Sequence, residues 1–184
     1  MKVLEKLNIS PININLYEQA FTHSSFSNEN AGFLNFERLE FLGDAVLEII
    51  ISDYLYKEKH LEEGTMTKMR ANYVCEKACA TYARDLEFEK DIKLGNNEEV
   101  NDTIIADVFE AFIGAVYLDK GFEFVNKLIM NIIIKYIEKG INFLLLPVPF
   151  PKIIPSTLTT DVNFLLCDGA VSSIISYITL FLTV

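Results

Sequence analysis

The sequence predicts an all-α domain over residues 1–143, followed by a tail of different character over residues 144–184. Three observations carry this reading. Before Leu144, apolar residues recur mainly at intervals of three and four, the spacing that lines one face of a helix. Strand-like runs are scarce in the same stretch. Capping residues, glycines and one proline interrupt the apolar pattern at helix-length intervals.

A first short helix over about residues 2–7 must stop before Pro11, which lacks the N–H a helix interior needs. A second is expected from about Leu16 to His23. Ser24 to Gly32 is small, polar and turn-forming, so it reads as a loop. The longest helix then runs from about Leu34 to Lys59. Glu62-Glu63-Gly64-Thr65 interrupts it, with Thr65 placed to cap a helix from Met66 to about Tyr73. Cys75 to Leu86 forms the next helix, and residues 93–101 are a polar connector turning at Gly95-Asn96-Asn97. Asp102 or Thr103 can cap a strongly apolar helix reaching about Leu118, closed by Asp119-Lys120-Gly121. Phe122 to Lys139 is the last, ending at Gly140, which brings the domain to about seven helices.

With a formal net charge of −10, whole-chain attraction to nucleic acid is not expected, so any such role must rest on local cations and bound metal. Three cysteines form no even-numbered disulfide framework, and the N-terminal Met1-Lys2-Val3-Leu4-Glu5-Lys6 is not a secretory signal. A reducing cytoplasm is expected. Cys75 and Cys79, one turn apart, read as small buried side chains rather than half of a zinc site.

Four of the five prolines lie in the tail, which holds only Lys152, Asp161 and Asp168 as charged residues. Ala170 to Val184 is too short for a membrane span, and extending it back to Val162 takes in Asp168, so no membrane association is expected.

Chemistry concentrates on two helices. On the first, Glu37, Glu40, Asp44 and Glu48 form an acidic column among Leu39, Leu42, Val46, Leu47, Ile50 and Ile51. Like charges on a half-buried surface repel and lose solvation, so they call for a cation, and Arg38 is the only one between Leu34 and Tyr56. On the second helix, Asp107 and Glu110 share a face within Ile104-Ile105-Ala106-Asp107-Val108-Phe109-Glu110-Ala111. If the helices cross, their carboxylates supply the hard oxygen donors of a Mg²⁺-type site.

Glu37-Arg38-Leu39-Glu40-Phe41-Leu42-Gly43-Asp44 resembles the signature of the ribonuclease III family, and Ile105-Ala106-Asp107-Val108-Phe109-Glu110-Ala111 resembles its second motif. Thr22-His23-Ser24-Ser25 and Gly64-Thr65-Met66-Thr67-Lys68-Met69-Arg70-Ala71 match more weakly, in the right order and spacing. The resemblance covers about residues 1–140 and implies a helical endonuclease domain, homodimeric, acting on double-stranded RNA. It places Glu40, Asp44, Asp107 and Glu110 at metal-binding positions, with Asp44, Glu110 and Glu37 catalytic. It puts Glu63 beside the RNA and Phe41 across the dimer interface. Lys68 and Arg70 are reasonable phosphate contacts.

The implied reaction is hydrolysis to 5′-phosphate and 3′-hydroxyl ends with short 3′ overhangs, dependent on Mg²⁺, with Mn²⁺ substituting, in RNA processing. A non-catalytic RNA-binding or ribosome-associated protein on the same fold is the alternative, as is a helical module whose carboxylates bind a structural cation. The tail does not match the family's double-stranded-RNA-binding domain. Its abrupt composition points to an out-of-frame or otherwise degenerate C-terminus.

Overall fold

A helix apolar on nearly every side must be surrounded by other elements, and Asp102–Lys120 is such a helix, with eleven of its 19 residues buried. The computed structural model describes residues 1–144, so the expected tail from residue 145 onward lies outside the described residues. Within them the order is α1 (Lys2–Lys6), α2 (Ile14–Ala20), α3 (Ser24–Glu29), α4 (Glu37–Glu58), α5 (Glu63–Val74), α6 (Glu76–Asp85), a 3₁₀ turn (Phe88–Lys90), α7 (Asp102–Lys120) and α8 (Phe122–Glu138). The central helix is α7, packed by α4, α6, α2 and α8. No strand occurs among the described residues; an isolated bridge joins Thr22 to Lys93. None of the described helices is long and apolar enough to cross a membrane.

Aromatic rings fill the centre: Phe21, Phe88 and Phe112 pack mutually, and Phe109 joins Phe88 to Tyr82. Two buried polar side chains fasten the ends of the domain. Asp119, at the end of α7, accepts hydrogen bonds from the backbone N–H groups of Ile12 and Asn13 and from the Tyr17 hydroxyl. Asn72 donates to the Ile141 carbonyl and accepts from the Leu144 N–H, holding the chain that leaves α8 against α5.

Several boundaries differ from expectation. The segment expected as a loop holds α3, a polar helix with no buried residue and hence no apolar periodicity to read. It is secured from outside: Ser25 Oγ accepts from the Gly95 N–H, and Glu29 accepts from the backbone and side chain of Asn96. The second helix begins at Ile14, capped by Asn13, rather than near Leu16. The long helix starts at Glu37, and α5 at Glu63 rather than Met66, so Thr65 lies inside the helix it was expected to cap. Asn101, not Asp102 or Thr103, caps α7 by accepting from the Ile104 N–H.

Candidate active site

Helices α4 and α7 meet at glycine. Gly43 and Gly114 are buried at the crossing; a Cβ on Gly43 would collide with the Glu110 backbone, and one on Gly114 with the Leu39 carbonyl. Glycine inside a helix costs roughly 1 kcal/mol against alanine. Its presence on both helices therefore reflects the backbone contact. Each predicted acid is keyed to that contact: Asp44 follows Gly43, Glu40 precedes it by three residues, and Glu110 and Asp107 stand one and two turns before Gly114.

The electrostatics show that the four carboxylates share one locality. Burial raises the pKa of Glu40, and the charges of Asp107, Glu37 and Asp44 raise it further. Asp107 is raised by burial and then by Glu76, with His23 opposing. Glu110 is displaced most, pushed up to about 8 by burial and then by Asp44, Asp107 and Glu40, while a hydrogen bond from the Cys79 thiol works the other way. Among the described residues, none of the six ion pairs involves Glu40, Asp44, Asp107 or Glu110. A cation bound among them would relieve this mutual repulsion.

No three His, Cys, Asp or Glu side chains among the described residues converge at metal-ligand spacing. The donor set, four carboxylates and no soft ligand, suits a hard divalent cation.

The remaining predicted residues fall in two places. Glu37 is exposed in the first turn of α4, close enough to Glu40 to act on its charge. Glu63 and Arg70 are not beside the carboxylates. They line a cavity of about 320 Å³ with Ser52, Leu55, Tyr56, Met66 and Thr67, and Ser52 is about 12 Å along the helix from Asp44. There Arg70 donates to Ser52 Oγ at 3.2 Å, and Glu63 accepts from Thr67 Oγ1 at 2.8 Å. Lys68 is exposed on the same helix. Phe41 is 83% exposed, so it is not a core aromatic within one chain.

Three residues near the carboxylates lay outside the predicted set. Glu76, at the start of α6, adds its charge to Asp107. Cys79 is a small buried side chain as expected, its thiol donating to the Val74 carbonyl at 3.5 Å and lying near enough to Glu110 for the two groups to influence each other's ionisation. His23 caps α3 beside this region; its short motif was visible in the sequence, but its neighbour was not.

A family model described as Ribonuclease-III-like matches residues 13–137. Ribonuclease 3 of Onion yellows phytoplasma (strain OY-M) is 42% identical over 163 residues, spanning 86% of this chain and 68% of that protein. Ribonuclease 3 of Streptococcus uberis is 49% identical over 137 residues, 70% of this chain and 59% of its own length. A solved nuclease domain of ribonuclease III from Campylobacter jejuni, studied for flexibility in a region involved in dimer formation, superposes with a TM-score of 0.67 at 37% identity, covering 73% of this chain and 95% of that one. The chain belongs to the ribonuclease III family and is an endoribonuclease of that type.

Proposed function

We propose that this endoribonuclease hydrolyses double-stranded RNA in RNA processing, leaving 5′-phosphate and 3′-hydroxyl ends with short 3′ overhangs. Glu40, Asp44, Asp107 and Glu110 hold the Mg²⁺ the reaction needs, and Mn²⁺ substitutes for it. The observation that carries this reading is the crossing of α4 and α7 at Gly43 and Gly114, which keys Glu40, Asp44, Asp107 and Glu110 to one backbone contact, none of them in an ion pair among the described residues. A divalent ion supplies, when bound, an activated water near neutral pH and positive charge for the transferring phosphoryl group.

The chain's own residues divide the rest of the work. Glu110 and Asp107 hold the inner side of the site, both half-buried, while exposed Asp44 forms its outer edge. Glu110 must give up its proton before it can ligate. Glu37, exposed one turn before Glu40, is the substrate-side acid. Duplex RNA presents phosphates and 2′-hydroxyls along a shallow minor groove, so recognition is by shape, with Lys68 and Arg70 on phosphates and Glu63 beside the strand.

The working form is a homodimer. An exposed Phe41 and the cavity at Ser52–Tyr56 lie on the same helix, three to four turns apart. Two copies related by a two-fold axis can each insert Phe41 into the other's cavity, the self-complementary contact such symmetry requires. This pairing brings the Glu63 and Arg70 surface of one copy toward the acidic site of its mate. Free Cys75 and Cys79 support a reducing, cytoplasmic setting.

The test is incubation with labelled duplex and single-stranded RNA, with Mg²⁺ or EDTA, followed by analysis of the product ends. Metal-dependent scission of the duplex alone, with 5′-phosphates, is expected. Metal-independent retention without scission would overturn the proposal.

A further inference from the structure

The chain that follows α8 is built into the domain. Gly140, in the left-handed region at φ +64°, closes the helix, with the Ile141 N–H donating to the Tyr136 carbonyl and the Gly140 N–H to the Ile137 carbonyl. Asn72 of α5 then grips residues 141–144 with both ends of its amide. Nδ2 donates to the Ile141 carbonyl at 2.9 Å, and Oδ1 accepts from the Leu144 N–H at 3.1 Å. Between these anchors Phe143, 6% exposed, sits among Tyr73 of α5, Tyr82 of α6 and Tyr136 of α8, at ring-centroid distances of 6.4, 5.7 and 5.9 Å.

What this latch holds is α5. That helix has no side-chain cap at its start, and only Met69, Asn72 and Tyr73 of its 12 residues are buried. An element with so little buried surface opens readily unless something fastens it. Two of those three buried residues, Asn72 and Tyr73, meet residues 141–144. The same helix carries Glu63, Lys68 and Arg70, and Arg70 lies two residues before Asn72, donating across to Ser52 of α4 at 3.2 Å. The four carboxylates stand on other helices, α4 and α7, whose crossing is made at Gly43 and Gly114.

We propose that Asn72 is a positioning residue for duplex RNA: with Phe143 it latches residues 141–144 onto α5 and so sets Glu63, Lys68 and Arg70 against the RNA backbone. The inference rests on the RNA-facing role of α5 proposed above. Residues 141–144 thus serve the RNA face, although the family match ends at residue 137.

Two substitutions open the latch from opposite sides. Alanine is the better helix former, so any loosening of α5 in Asn72→Ala comes from the lost grip on residues 141–144. Phe143→Ala removes the ring from the other side and leaves the sequence of α5 intact. The measurements, on the full chain, are hydrogen exchange by mass spectrometry, duplex retention in EDTA and calorimetric titration of Mn²⁺ into the RNA-free protein. Both variants should speed exchange in residues 63–74 about tenfold, the equivalent of one or two lost hydrogen bonds, and weaken duplex binding by about the same factor. Exchange in α4 and α7 and affinity for Mn²⁺ should match the parent. Parent-like exchange in α5, an equal increase in α7, or parent-like duplex binding by either variant would overturn the inference. Lys68→Gln combined with Arg70→Gln serves as the control: if it alone weakens duplex binding, only the latch fails, and if it too binds like the parent, the RNA-facing role of α5 fails with it.

Discussion

Gly43 and Gly114 face each other across the α4–α7 crossing, each helix's backbone occupying the space the other's Cβ would need. The obstructing atoms are main-chain, so no rotamer change relieves the clash. Gly43→Ala should therefore destabilise the fold by roughly 1–3 kcal/mol, despite alanine's better helix propensity, and should lower cleavage by moving Glu40 and Asp44 away from Glu110. Gly64→Ala meets open space in the first turn of α5 and should be neutral or stabilising by up to about 1 kcal/mol. Thermal denaturation of the two variants checks the contrast.

Glu110 makes the metal-free protein sensitive to alkali. Its folded pKa, about 8, lies above its ordinary value of 4.5, so the fold favours its protonated form. The stability linked to this proton is fully present below pH 4.5 and is lost as pH rises through about 8. In EDTA, Tm should fall between pH 5 and pH 9, and Glu110→Gln, which has no proton to lose, should flatten that decline. Mg²⁺ should restore Tm at the alkaline end of the parent but not of the variant.

Phe41 contributes little to the single chain, being 83% exposed there. Phe41→Asp should leave Tm of the isolated chain nearly unchanged while converting a dimer to a monomer in sedimentation velocity, and duplex cleavage should fall with the dimer. A Phe41→Asp protein that stays dimeric would remove this residue from the interface.

Asp119 gives a dependence of opposite sign. Burial opposes its ionisation, yet the N–H groups of Ile12 and Asn13, the Tyr17 hydroxyl and Lys120 outweigh it and hold the carboxyl below its ordinary 3.8. The stability it contributes is present above that value and is lost as pH falls through the lowered one. Asp119→Asn retains one carbonyl oxygen for three donors and should cost roughly 2–3 kcal/mol at neutral pH. Denaturant unfolding at pH 7 and pH 3 should show the difference between parent and variant shrinking in acid.

The sequence was legible where two local rules disagreed. Glu40, Asp44, Asp107 and Glu110 stood out because acids interrupt apolar helical faces, and α4 and α7 were readable for the same periodicity that buries Leu39, Leu47, Ile105 and Phe112. The helix at Ser24–Glu29 was hidden because nothing on it is buried and its anchors, Gly95 and Asn96, are distant in the chain. Asn101, Asp102 and Thr103 are consecutive capping types, and only the folded backbone selects Asn101. Glu76 and Cys79 gain their neighbours Asp107 and Glu110 from the packing of α6 against α7, which no local spacing encodes.

The central claim is that four carboxylates on two crossed helices act as one site on duplex RNA. It is tested most directly by the single-turnover cleavage rate of end-labelled duplex in Mg²⁺ for Glu40→Gln, Asp44→Asn, Asp107→Asn and Glu110→Gln beside the parent, with duplex retention measured in EDTA. Each variant should lose at least about a hundredfold in rate while still retaining the duplex. Cleavage near the parent rate by any one of them would take that residue out of the site and contradict the account.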